Sequence, residues 1–273
     1  MIPRKLALAV AAVCFAALFA LGVAAPEHQA MPDLEMVYKG FGEAGFFGTD
    51  QRGRPLVEYA QQGAYVVLLP SIIAGLAVGF MSVIGGLLRC VGDARVDTAV
   101  QAFGEVVGAL PRMVVILIVA LLVPSTSRGL LPLALAWALL ASPGAMDEAA
   151  SVAERLGGAR FVEALRAHGF SWGRIFLYHV VALNLRPVVV RQSAETMMQV
   201  TFLELALSYL AGQENQSSFT HPDNLRSWAD LLQMGYPSLV LDVPTGHALG
   251  LGLGLVALTT LMALMLSSAA RAR

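Results

Sequence analysis

Five ionisable residues stand in or beside long apolar runs, where a charge needs a reason to persist. They are Glu105, Arg112, Arg191, Glu195 and Glu204. Arg191 and Glu195 are four apart, the spacing of an intrahelical ion pair. Glu105 and Arg112 are seven apart and would share one face of a straight helix. Such groups can hold helices together, carry a proton or meet a solute. Arg191, Glu195 and Glu204 are the candidates for lining or gating a pore, with packing or gating the expected role of Glu204.

Other chemistries lack their residues. The histidines His28, His168, His179, His221 and His247 never fall at metal-ligand spacing, and Cys14 and Cys90 do not join them. A phosphate-binding loop needs a lysine after its second glycine. The only lysines here, Lys5 and Lys39, follow Arg4 and Tyr38. No nucleotide or metal cofactor is therefore expected on this chain, which is read as non-catalytic. Ser71 and Ser208 lack a histidine one helical turn away and any nucleophile motif. Gly250, Gly252 and Gly254 lie in an apolar run, where close helix packing is the expectation. The same holds for Gly75-x-x-x-Gly79 and Gly104-x-x-x-Gly108.

The elements that must position these residues are membrane helices. The 273 residues are 57% hydrophobic and 14% charged, too few charges to cover a soluble domain of this size. Their mean hydropathy is +0.67. A net charge of −1 gives no basic surface for nucleic acid. Runs near the length of roughly 20 apolar residues needed for a crossing predict six spans. They cover 6–25 (read as retained rather than cleaved), 64–88, 106–123, 130–145, 185–210 and 247–266. With both termini in the cytoplasm, eleven Lys and Arg fall inside and five outside, which sets that orientation. The expected fold is all-α, with residues 1–63 as a first helix and outer segment and 64–273 as the main transmembrane domain. Segments 26–63 and 213–246 are then outer loops and 146–184 is the main inner one.

The inner segment has helix formers over residues 147–168, a break at Gly169, and a second apolar helix after Ser171. Its order, Phe161-Val162-Glu163-Ala164-Leu165-Arg166-Ala167-His168-Gly169 followed by Ile175, resembles the cytoplasmic loop of binding-protein-dependent ABC importer permeases. Within them it is most similar to the dipeptide/oligopeptide/nickel group. His179 with Asn184-Leu185-Arg186-Pro187 resembles the segment that follows that loop. Gly48-Thr49-Asp50 with Gly53-Arg54 resembles the motif before the second helix of its C-type subunits, and Glu204-x-x-Leu207-Ser208-Tyr209-Leu210 the end of the fifth helix. Asp97, Pro111 and Trp228-Ala229-Asp230 also fall in matching places.

The resemblance implies a type I importer permease fold of six helices in a bacterial cytoplasmic membrane, forming half of a pore for peptides or a peptide-like solute. The implied partners are a homologous second permease, two ATPase subunits that carry ATP and Mg, an extracytoplasmic substrate-binding protein, and membrane lipid. Glu163, Ala164, Leu165, Arg166, Gly169 and Phe170 are the implied ATPase-coupling residues, with Leu165 and Phe170 as anchors, Arg166 at the rim and Gly169 providing a tight turn. The outer segments are the implied contacts of the binding protein. The alternative from another class is a secondary transporter driven by protons through Glu105, Glu195 and Glu204.

Overall fold

The computed structural model describes residues 4–25, 34–40, 42–43, 47–91, 93–124, 129–212, 225–241 and 246–271. Of the features above, His28, His221 and parts of both outer segments lie outside the described residues. Helix α1 spans Arg4–Val23, α2 Leu56–Val91, α3 Ala94–Gly108, α4 Arg112–Leu122 and α5 Leu130–Arg155. A short α6, Ala159–Ala167, leads to a wide π-helical stretch, Arg174–Leu185, which runs directly into α7, Arg186–Gly212. Helices α8, Trp228–Leu241, and α9, Gly246–Arg271, complete the order. Among the described residues the chain is all-helical, with one isolated β-bridge between Thr49 and Pro55.

Three helices are long and apolar enough to cross a membrane, within α2, α5 and α9. A fourth crossing results if α3 and α4 are taken together, although they meet at 76°. The bend departs from the straight third span expected from the sequence. Pro111 supplies no N–H to continue α3 and disfavours a helical Leu110 before it, so the chain stops at Gly108 and restarts at Arg112. Glu105 and Arg112 consequently do not share a helix face. Two further boundaries move. Helix α5 continues through Pro143 to Arg155, ten residues beyond the expected span. Residue 63, taken as a domain boundary, falls inside α2.

The 213–246 segment also contains more order than an outer loop. The Ser227 hydroxyl accepts the Ala229 N–H, and Asp230 accepts the Ser227 N–H, a reciprocal cap that starts α8. Trp228 is fully buried beneath it.

Helix α2 is the axis of the packing. Its first half joins α1, α8 and α9 in a cluster around Leu56, Leu68, Trp228 and Ala248. Its middle residues Ala74 and Val78 join α4, α5 and α7. Its end, through Cys90, joins α5, α6 and the π-helical stretch. Small residues make these approaches possible. A Cβ on Gly85 would lie 2.6 Å from Met146 Cα on α5, one on Gly79 2.5 Å from Ser193 Oγ on α7, and one on Gly75 2.9 Å from Ser193 O. Ser82, fully buried, donates to the Ala145 carbonyl at 2.9 Å. The expected packing role thus holds for Gly75 and Gly79. It fails for Gly104, whose Cβ would make only an ordinary contact, and for Gly108, Gly250 and Gly254, which face open space. Gly252 does pack, 2.9 Å from Leu232.

Substituting Gly85 by alanine should therefore force α2 from α5 and cost about 1–3 kcal/mol, read as a lowered unfolding midpoint in detergent. Gly254→Ala should leave the midpoint within about 0.5 kcal/mol of the parent or raise it slightly. Equal midpoints for the two variants would remove the close-packing account.

Candidate functional site

The inner segment is built as a short rigid bracket. At the end of α5 the Gly157 N–H donates to Glu154 O at 2.8 Å and the Gly158 N–H to Ala153 O at 3.0 Å. At the end of α6 the Gly169 N–H donates to Arg166 O at 2.8 Å and the Phe170 N–H to Leu165 O at 3.2 Å. Both pairs are the 5→2 and 6→1 bonds of a Schellman turn. Gly157 and Gly169 hold φ of +96° and +84°, which a residue with a Cβ adopts only at a cost. Gly169 thus provides the turn expected of it. The matching turn at Gly157-Gly158 was missed, although a glycine pair closing an Ala-rich helix is a legible stop signal.

Nine-residue α6 is too short to be stable alone and is held by one face. Val162 is buried among Cys90, Ala149, Ala153, Ile175, Val180 and Leu185, and Phe161, Leu165 and Phe170 pack on the same cluster. Leu165 and Phe170, expected to anchor a partner, are half-buried and pack against this cluster of their own chain. The outward face is Glu163, Ala164, Ala167 and His168, with Arg166 at its edge. The Arg166 guanidinium lies over the Trp172 ring at 4.4 Å, and Arg174 over Phe170 at 5.0 Å.

Arg89 ties this bracket to α2 and α3. It pairs with Asp97 at 2.6 Å and with Glu154 in the last turn of α5, next to the Gly157 turn. An open cavity of about 190 Å³ lies beside it, with Asp147 and Gln101 on its wall. Sequence reasoning missed Arg89 because Glu154 is 65 residues away.

The charged residues of α7 do not form one site. Arg191 pairs with Glu148 of α5, whose carboxylate also accepts from Gln192, and reaches Glu195 at 3.8 Å. The expected i,i+4 pair is present, but the inter-helix partner Glu148 went unrecognised. Glu204 lies about 13 Å further along α7 at 1.5 Å per residue. It is fully buried and accepts the Ser208 hydroxyl at 3.1 Å, while Gln233 of α8 donates to the Ser208 carbonyl. Glu105 is exposed on α3. Each of the three carboxylates named for a proton path has its own setting. Among the described residues no three His, Cys, Asp or Glu side chains gather to hold a metal.

The Gly48–Arg54 motif forms a knot at the other end of α2. Asp50 Oδ1 accepts the N–H groups of Arg52 and Arg54 at 2.7 and 2.8 Å, and Oδ2 accepts the Tyr59 hydroxyl. Thr49 Oγ1 accepts the Lys39 N–H and donates to the Met36 carbonyl. Gly48 and Gly53, with φ of +73° and +76°, let the strap turn twice, and the Leu56 N–H closes it on Gly48 O. Thr49, Asp50 and Arg54 are buried, so they fix the strap to α2 rather than present it outward. His247 of α9 bonds the Phe47 carbonyl and Trp228 of α8 the Ala60 carbonyl. Neither partner had a local sequence signal.

Compared with known proteins, the chain matches no family model and no curated protein sequence.

Removing the Asp50 carboxylate strands three donors. Asp50→Ala should cost about 2–4 kcal/mol, because charge-assisted bonds are worth roughly 1.5–3 kcal/mol each and unmet buried donors add to the loss. Tyr59→Phe, which removes one donor, should cost about 1 kcal/mol. Thermal unfolding in detergent checks both, and an unshifted Asp50→Ala midpoint would show that the knot contributes nothing.

Proposed function

We propose that this chain is the pore-forming permease subunit of a bacterial ATP-driven importer, a divergent relative of the dipeptide/oligopeptide/nickel group. The observation that carries this reading is α6. A nine-residue helix held between two Schellman turns, seated by Val162 and presenting a polar outer face, is built to receive force rather than to link two spans loosely. A flexible connection would need neither the glycine turns nor the Arg89 tie.

On this proposal the chain crosses the membrane six times, through α1, α2, the bent α3–α4 pair, α5, α7 and α9. Both termini and α6 lie in the cytoplasm, in line with the Lys and Arg distribution. ATP and Mg are bound by two partner ATPases. Ala164, Ala167, Glu163 and His168 face one of them, with Arg166 at the rim, as a short helix laid into a groove. Movement of α6 is transmitted through the cluster around Val162 and through Arg89 to α5, α2 and α3, which tilt against a homologous second permease. A binding protein outside delivers the solute, and a peptide or peptide-like molecule is the class the resemblance favours. The Glu148–Arg191–Glu195 group and buried Glu204 hold α7 to its neighbours during that movement.

Co-purification tests the proposal. The detergent-solubilised wild type should bring down an ATPase and a second permease. Glu163→Ala/Gly169→Pro should lose the ATPase and keep the permease, since proline cannot adopt the φ of Gly169 and removes its N–H bond to Arg166. Ala164→Glu, on the exposed face, should weaken ATPase recovery while leaving the chain's unfolding midpoint unchanged. A wild-type chain that purifies alone would overturn the proposal.

A further inference from the structure

The geometry points to a second surface beside α6, a site for anionic phospholipid headgroups built from Arg166, Trp172, Arg174 and Tyr178. Residues 155–186 carry five arginines against Glu163 as the one acidic residue, a net +4 on a chain whose total is −1. The arginines elsewhere in the helices that meet carboxylates are Arg89 and Arg191. Arg166 and Arg174 have no ion pair among the described residues. Each instead has its guanidinium carbon over an aromatic ring, Arg166 over Trp172 and Arg174 over Phe170.

The rings continue outward from both arginines. Trp172 stacks on Phe176 with centroids 5.3 Å apart and planes 11° from parallel, and Phe170 meets the edge of His179, which meets Tyr178. A guanidinium whose face is covered by a ring keeps its N–H edge free for a planar or tetrahedral anion, and phosphate is the group that edge fits. The same surface is apolar. Trp172, Leu177 and Tyr178 are 49%, 71% and 53% exposed. Exposed tryptophan and tyrosine beside arginine is the composition of the membrane–water boundary, where rings sit at headgroup level and arginine reaches the phosphates. Position agrees with composition, because the π-helical stretch runs straight into α7 and Tyr178 lies about two helical turns before it.

The occupant is therefore lipid rather than protein. A protein groove would cover the outer face of α6, formed by Glu163, Ala164 and Ala167. This surface lies to the side, and its excess positive charge matches anionic headgroups. Its role would be to hold α6 at a fixed height below the bilayer. The inference rests on the reading of α7 as a membrane span proposed above and not on the ATPase partner.

Fluorescence of the full chain in nanodiscs tests it, since both membrane faces are open there and neither orientation nor an ATPase enters. The contribution of Trp172 is the difference between wild type and Trp172→Phe. Phosphatidylglycerol and phosphatidylcholine, each spin-labelled at the same shallow acyl carbon, are compared as quenchers. Labelled phosphatidylglycerol should quench Trp172 at lower mole fraction. The preference is expected to be about twenty-five-fold, at about fivefold for each of the two arginines near the surface, and to disappear in Arg166→Gln/Arg174→Gln. Equal quenching by the two lipids in wild type would overturn the anionic site. Absence of quenching by either lipid, with quenching by acrylamide in water, would overturn any lipid contact and leave the surface to a protein.

Discussion

The fold depends on how closely α2 can be approached. Gly75 and Gly79 admit the backbone and Ser193 of α7, and Gly85 admits the backbone of α5 at Met146. In a bilayer, lipid tails are as apolar as the side chains, so burial alone does not drive helices together. Contact at backbone distance supplies dispersion that larger residues would block, and Ser82 adds a hydrogen bond across the α2–α5 seam. With α2 fixed in this way, the three apolar clusters lie in series along it. The Asp50 knot closes one end and Arg89 ties the other.

The arrangement explains where polar groups are found. Most charged side chains sit at helix ends or pair across two helices, as Arg191 does with Glu148, because an unpaired charge within a span is costly. Deletion of one partner from such a pair is more damaging than replacement of both. Glu204 lies deepest, fully buried in a run of polar contacts that links α7 to α8 through Ser208 and Gln233. These links tie α7 to α5 and α8, and α6 is seated on the end of α2 and α5 through Val162 rather than hung from them.

Much of this was legible in residue order, for identifiable reasons. Uninterrupted apolar runs marked α2, α5 and α9, and Gly169 announced its turn because few other residues take a positive φ. The bend at Pro111 was visible in principle, but an apolar run on either side of a proline reads as one span. Periodicity found the apolar face of α6 and could not say what covers it. Leu165 and Phe170 are half-buried against their own chain. Contacts between distant residues had no local signal, among them Arg89 with Glu154 and His247 with Phe47. Glycine spacing alone was also insufficient, since Gly75 and Gly79 pack while Gly108 at the same spacing does not. Space at a glycine depends on the helix opposite, which a single segment does not encode.

The source of energy separates the importer from its nearest rival most directly. The chain, with whatever co-purifies, would be sealed into proteoliposomes and assayed for accumulation of a radiolabelled dipeptide mixture. One set would carry a proton gradient without nucleotide and the other MgATP without a gradient. The account predicts accumulation that requires ATP hydrolysis, is unaffected by collapsing the gradient, and is lost when ATPase binding is lost through Ala164→Glu. Accumulation driven by the proton gradient in vesicles holding this chain alone would contradict it and make the chain a secondary transporter.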